Sequence, residues 1–176
     1  MESIYLPFII FIDMNALYLI MNICFFGYIY LITNLYGVQS SVSESYYRLP
    51  RNMQWLFTIA TWGYALPAMI IGLELTGNGL VFLSGAGIAF VGASPLFHEK
   101  GISRTVHMIG AITGIGAMLV FMAVIGQWYT AILFMLLSLL VVAVKWLRDD
   151  ITWWVEIAAY ISISLMYYFM LFNRVI

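Results

Sequence analysis

The chain has two histidines, His98 and His107, and they lie close together, with Ser94 and Glu99 beside the first. Neutral imidazole is the commonest protein ligand of zinc, and a bound zinc ion makes a water molecule acidic enough to ionise near neutrality. The pair therefore predicts a metal site that a carboxylate such as Glu99 or Asp149 completes. In the alternative interpretation, both imidazoles hydrogen-bond only to loop backbone or to lipid headgroups.

A metal of this kind would need a general base to remove a proton from its bound water. Glu156 and Glu99 are the candidates for that role, and Ser94 is a third candidate for a part in catalysis. Ser94 and His98 are four positions apart, so they share one face if the helix continues through Pro95.

Glu156 begins a polar stripe at helical spacing in the last apolar run, and the stripe consists of Glu156, Tyr160, Ser164 and Tyr167. A carboxylate at membrane depth costs roughly 2.5–3.5 kcal/mol, so it usually faces a partner or a wet cavity. The alternative is that Glu156 lies shallow and pairs with Lys145 or Arg148.

A second polar segment, SVSESYYRLPR at residues 41–51, stands out in so apolar a chain. Arginine side chains and hydroxyl groups suit a lipid headgroup or a phosphorylated substrate. The candidates for this contact are Ser43, Ser45, Arg48, Arg51 and Tyr160. The plain alternative is a loop whose basic residues only set the membrane topology.

The composition is typical of a membrane protein, because 64% of the residues are hydrophobic and only 9% are charged. Runs of about 20 apolar residues are long enough to cross a bilayer, and in lipid such runs must be helices. We therefore predict an all-α membrane protein that forms a single transmembrane domain over residues 1–176. The net charge of −1 argues against nucleic acid as a partner.

Hydropathy, with glycine, proline and charges as boundaries, predicts six spans, at about 14–36, 53–74, 79–97, 105–126, 128–146 and 152–173. Six of the seven basic residues fall in the first, third and fifth loops. Basic residues concentrate in cytoplasmic loops, so these three loops are predicted to face the cytoplasm and both termini to lie outside the cell membrane. Small residues recur every four positions in span 3, from Gly85, and in span 4, from Gly110. This spacing predicts close packing of the two spans.

The SVSESYYRLPR loop resembles a segment of small bacterial membrane proteins, and Ser94 with His98 resembles one motif of the CREST superfamily. That superfamily includes alkaline ceramidases and adiponectin-receptor-like proteins, which are seven-helix membrane proteins. Several of them hydrolyse amide bonds in lipids at a zinc site of three histidines. The resemblance covers about a tenth of the chain, and the second histidine pair and the seventh helix are missing here.

Two functions follow from these patterns. The first is a metal-assisted hydrolase, with zinc as the expected metal, that acts on a membrane lipid or amphiphile at the cytoplasmic face. The second is a channel, transporter or pore-forming effector that works as a homo-oligomer, with polar stripes on spans 1 and 6 along its path. The direction that the span 6 stripe faces distinguishes them, because a pore would turn it toward a symmetry axis.

Overall fold

The computed structural model describes residues 13–98, 101–144 and 150–172, and within these ranges it contains helices and no strands. The helices, in chain order, are α1 (Met14–Tyr36), α2 (Ser45–Arg48), α3 (Trp55–Thr76), α4 (Leu80–Ala93), α5 (Ile102–Val124), α6 (Trp128–Ala143) and α7 (Ile151–Phe172). The predicted all-α class is therefore confirmed.

Within the described ranges, four helices, α1, α3, α5 and α7, are long and apolar enough to cross a membrane. Each has 22 or 23 residues, whereas α4 has 14 and α6 has 16. Helix α4 ends at Ala93, before the predicted boundary at 97, because Pro95 disfavours the helical conformation at Ser94. Ser94 and His98 consequently do not share a helical face.

Helices α4 and α5 pack with their backbones in close contact. A β-carbon added to Gly87 would lie 2.5 Å from the amide nitrogen of Gly114 and 2.6 Å from the carbonyl oxygen of Gly110. The Ser84 hydroxyl donates a hydrogen bond to the Gly114 carbonyl at 2.8 Å. The predicted packing of these two helices is confirmed.

Other glycines of α4 belong to a different contact. A β-carbon at Gly85 would meet the side chain of Met69, and one at Gly92 would meet Thr61, and both of these residues lie on α3. Helix α4 is therefore packed on two sides, and our assignment of Gly85 to the α5 contact was wrong. Glycine spacing identifies a helix that packs closely, but the rotation of that helix depends on both neighbours.

The polar stripe of α7 faces the interior of the bundle. The Tyr64 hydroxyl of α3 lies 3.1 Å from the Tyr160 carbonyl oxygen and 3.2 Å from the Ser164 hydroxyl. The Tyr167 hydroxyl donates to the Ala68 carbonyl at 2.8 Å. These polar groups therefore connect α7 to α3 within one chain.

The segment between α1 and α3, residues 37–54, folds against one end of the bundle. Its Ser45 is fully buried, bonds to the Tyr28 hydroxyl of α1 at 2.6 Å and donates to the carbonyl of Val42. On the other side, the Trp153 amide of α7 donates to the Ser40 carbonyl at 3.2 Å. Both helices thus hold this segment, which we call the cap segment.

Candidate functional site

A small, partly enclosed cavity of about 40 Å³ lies in the middle of the bundle beneath the cap segment. Helices α3, α4, α5 and α7 supply its walls, and Val42 and Ser43 of the cap segment lie at one end. The apolar part of the wall includes Phe57, Ile88, Val91, Ala111, Ile115 and Ile163. This volume is enough for about three water molecules.

Glu156 is the only carboxylate on the cavity wall among the residues that the structure describes. Its Oε2 atom accepts a hydrogen bond of 2.6 Å from the backbone N–H of Val42. Within the described ranges no Lys, Arg or His side chain lies at ion-pair distance from it, and the other carboxylate oxygen accepts no hydrogen bond. The carboxylate therefore binds the cap segment with one oxygen and retains hydrogen-bonding capacity on the other.

Tyr160 lies one helical turn from Glu156 and also lines the cavity. Its ring stacks on Phe25 of α1, with centroids 3.6 Å apart and planes 24° apart, and meets the edge of Tyr64 at 4.7 Å. The buried Ser43 lies on the same wall, in the cap segment. A carboxylate, a tyrosine and a serine thus form a polar end in a largely apolar cavity.

His98 lies outside this cavity, in the turn after α4. Its Nε2 atom is 2.7 Å from Oε2 of Glu44, and its backbone N–H donates to the Tyr47 hydroxyl at 2.9 Å. The His98 side chain is 53% exposed and that of Glu44 is 21% exposed. The contact therefore fastens the α4–α5 turn to the cap segment near the surface.

His107 binds the end of α4 from one turn inside α5. Its Nδ1–H donates to the Ser94 carbonyl at 3.0 Å. Because α4 ends before Pro95, its last carbonyls have no partner within the helix. His107 satisfies one of them, and Phe97 stacks on its ring at 4.6 Å.

The two imidazoles do not form a metal centre in the arrangement described. Across residues 13–98, 101–144 and 150–172, no three His, Cys, Asp or Glu side chains are grouped closely enough to hold a metal ion. His98 contacts the Glu44 carboxylate and His107 the Ser94 carbonyl, and the ring centroid of Phe97 lies 4.6 Å from that of each imidazole. The described residues therefore do not fit zinc. Glu99 and Asp149, the proposed third ligands, lie outside the described residues.

The remaining predicted headgroup residues belong to the cap segment, and they have different surroundings. Ser45 is buried and bonded, as described above. The Nε–H of Arg48 donates to the Gln39 side chain at 2.9 Å, which stabilises the segment itself. Arg51 is exposed in the turn before α3. Of the predicted headgroup residues, only Ser43 and Tyr160 line the cavity.

A second space, of about 10 Å³, is bordered by some of the same residues of α5 and α7. The two spaces share Ile115, Ala159 and Ile163, and the second continues past Met122 to Phe134 of α6. The second space is apolar apart from Ser162. Glu156 lines only the first of the two spaces.

Sequence reasoning missed two parts of this site. The backbone N–H of Val42 has no sequence signature, because every residue except proline carries the same group. Ala159 lines the cavity between Glu156 and Tyr160. Its methyl group carries no reactive or polar atom, so nothing in the sequence assigned it to a site. The helical spacing of Glu156 and Tyr160 was the one available signal.

Comparisons with protein-family models, with curated proteins and with solved structures found no match to this chain, so the CREST resemblance stays a prediction.

Proposed function

We propose that this protein is an integral membrane protein that binds a lipid or other amphiphile by its polar headgroup, at Glu156 of the central cavity. The observation that carries this proposal is a carboxylate on the wall of a largely apolar cavity, with one oxygen that accepts no hydrogen bond from the described residues. Membrane carboxylates generally face a partner or a functional cavity, because exposure to hydrocarbon is costly. An amphiphile would satisfy both the polar end and the apolar walls.

Six spans with both termini outside form part of the proposal. Helix α6 supports a position in the membrane. Among its 16 residues only Thr130 is buried, and the rest of its surface is largely apolar. Apolar surface of that extent suits contact with lipid. The basic residues of the first, third and fifth loops favour a cytoplasmic position for the Glu156 end of α7.

The direction of the α7 stripe favours a binding site over an oligomeric pore. Glu156, Ser164 and Tyr167 all bond to groups of their own chain. A pore around a symmetry axis would need such groups on the outer surface of each subunit. The stripe instead supports a site within one copy of the chain.

Filling the cavity tests this proposal. We expect near-stoichiometric amphiphile to co-purify with the wild-type protein in detergent and to be lost from Ala159→Phe, because Ala159 borders both spaces and the added ring would fill them. Native mass spectrometry with lipid analysis measures the bound fraction. Ala111→Phe fills the same cavity from α5 and should give the same result.

The matched control is Ala123→Phe, which adds the same ring to an exposed position of α5 and should retain the ligand. Equal amounts of bound lipid in the wild type and both cavity variants would contradict the proposal. Retention of native circular dichroism by the variants separates loss of binding from loss of folding.

A metal-assisted hydrolase would act on the same amphiphile, and the metal content of the purified protein tests this version separately. We expect less than stoichiometric zinc or iron under chelator-free purification, because the imidazole of His107 is engaged by the end of α4 and His98 by Glu44. Elemental mass spectrometry of the wild type and of the His98→Ala/His107→Ala variant is the measurement. One metal per chain that disappears in the double variant would reverse this expectation and justify assays of lipid hydrolysis.

A further inference from the structure

We infer that a surface groove at the start of α5 binds an anionic membrane phospholipid, with the lipid phosphate at Arg104. The groove has a volume of about 340 Å³ and is lined, among the described residues, by Phe97, His98, Arg104 and Met108. A volume of this size falls within the range of small-molecule sites, about 300–1,000 Å³. None of these residues lines the central cavity, so this site goes beyond the proposed function and does not depend on it.

Arg104 supplies the positive charge of the groove. Its side chain is exposed and forms no hydrogen bond or ion pair with any residue of the described ranges. A guanidinium group binds a phosphate through two parallel N–H donors, which is why arginine is common wherever proteins recognise phosphate. Arg104 also lies in the first turn of α5, where the helix dipole adds to the attraction for an anion. The groove therefore favours a ligand with negative charge.

The wall opposite the charge is held in place by contacts within the chain. The Nε2 atom of His98 is 2.7 Å from Oε2 of Glu44, so that carboxylate is engaged by His98 and forms no ion pair with Arg104. The His98 backbone N–H donates to the Tyr47 hydroxyl, and Phe97 stacks on the ring of His107. A wall that is formed before the ligand arrives lowers the entropic cost of binding.

An exposed apolar surface continues from the charge along α5. Arg104, Met108 and Ile112 recur every four positions, so they share one face of the helix, and all three are exposed. From Arg104 to Ile112 this face extends about 12 Å, at 1.5 Å per residue. A positive charge at one end of an apolar face matches a molecule in which a phosphate is followed by an alkyl chain. A phospholipid has this arrangement, whereas a free phosphate ion would leave the apolar face unused.

Native mass spectrometry of the full chain in detergent, titrated with dioleoyl phosphatidylglycerol or dioleoyl phosphatidylcholine, tests this site. We expect phosphatidylglycerol to bind at least about tenfold more tightly, because the choline ammonium offsets the phosphate charge that Arg104 would bind. Arg104→Gln should remove this preference. The matched control is Arg51→Gln, which removes the same charge from an exposed position outside the groove and should keep the preference.

Two further comparisons test the apolar part of the site and its independence. Met108→Asn should weaken the binding of phosphatidylglycerol by about threefold or more, because it removes apolar contact with the lipid. Ile109→Asn, at an exposed position of α5 outside the groove, should not. Ala159→Phe, which fills the central cavity, should keep the preference for phosphatidylglycerol, so the failure of this site is distinguishable from the failure of the proposed function.

The opposite results would overturn the inference. Equal binding of the two lipids to the wild type, or a preference that survives Arg104→Gln, would exclude a phosphate site at Arg104. A preference that Arg51→Gln also removes would show a general effect of surface charge. Loss of the preference in Ala159→Phe would assign the lipid to the central cavity. Displacement of phosphatidylglycerol by an equal concentration of glycerol 3-phosphate, or equal effects of the two asparagine variants, would show that the apolar face takes no part.

Discussion

Replacement of Trp153 by alanine is expected to lower the free energy of unfolding by about 3–5 kcal/mol, the usual cost of removing a buried aromatic side chain. Trp153 is 1% exposed and is the largest fully buried side chain in the described core. It lies in the first turn of α7, where its amide also holds the Ser40 carbonyl of the cap segment. The cavity left by the indole would loosen the attachment of that segment to α7.

Unfolding by sodium dodecyl sulfate in mixed micelles, followed by far-ultraviolet circular dichroism, measures this effect without relying on tryptophan fluorescence. The matched control is Trp128→Ala, because Trp128 is 61% exposed at the start of α6. We expect the control to change stability by less than about 1 kcal/mol. Equal losses in the two variants would show that Trp153 has no special part in the core.

Replacement of Gly87 by alanine is the second large effect that we expect, with a loss of about 1–3 kcal/mol. The added methyl group would lie 2.5 Å from a backbone atom of Gly114, and backbone cannot rotate away as a flexible side chain can. Helices α4 and α5 would have to separate, which would also lengthen the hydrogen bond from Ser84 to Gly114. The same detergent titration measures the loss.

The matched control lies on α5 itself. A β-carbon at Gly116 would meet nothing within 4 Å, so Gly116→Ala should leave stability unchanged or slightly raised, since alanine favours helix over glycine. A Gly87→Ala variant as stable as Gly116→Ala would refute the close backbone contact between α4 and α5.

Several features of this protein follow from local sequence alone. The all-α class and the bounds of α1 depend on long apolar runs, and such runs leave helix as the only way to satisfy their backbone in lipid. The polar stripe on α7 depends on spacing within one helix, so Glu156 and Tyr160 could be assigned to one face before any contact was known. These are properties of neighbours along the chain.

The partners of those residues depend on how the helices pack, and local patterns do not determine this. Glu156 binds the Val42 amide from the distant cap segment, and His107 binds the Ser94 carbonyl that becomes available where α4 ends. The two histidines are near each other in sequence, yet they bind different groups because the α4–α5 turn directs them to different surfaces. Sequence thus determined which helices form and which faces are polar. Only the tertiary structure decided what those faces contact, because helix rotation and chain reversal set the distances between residues far apart in sequence.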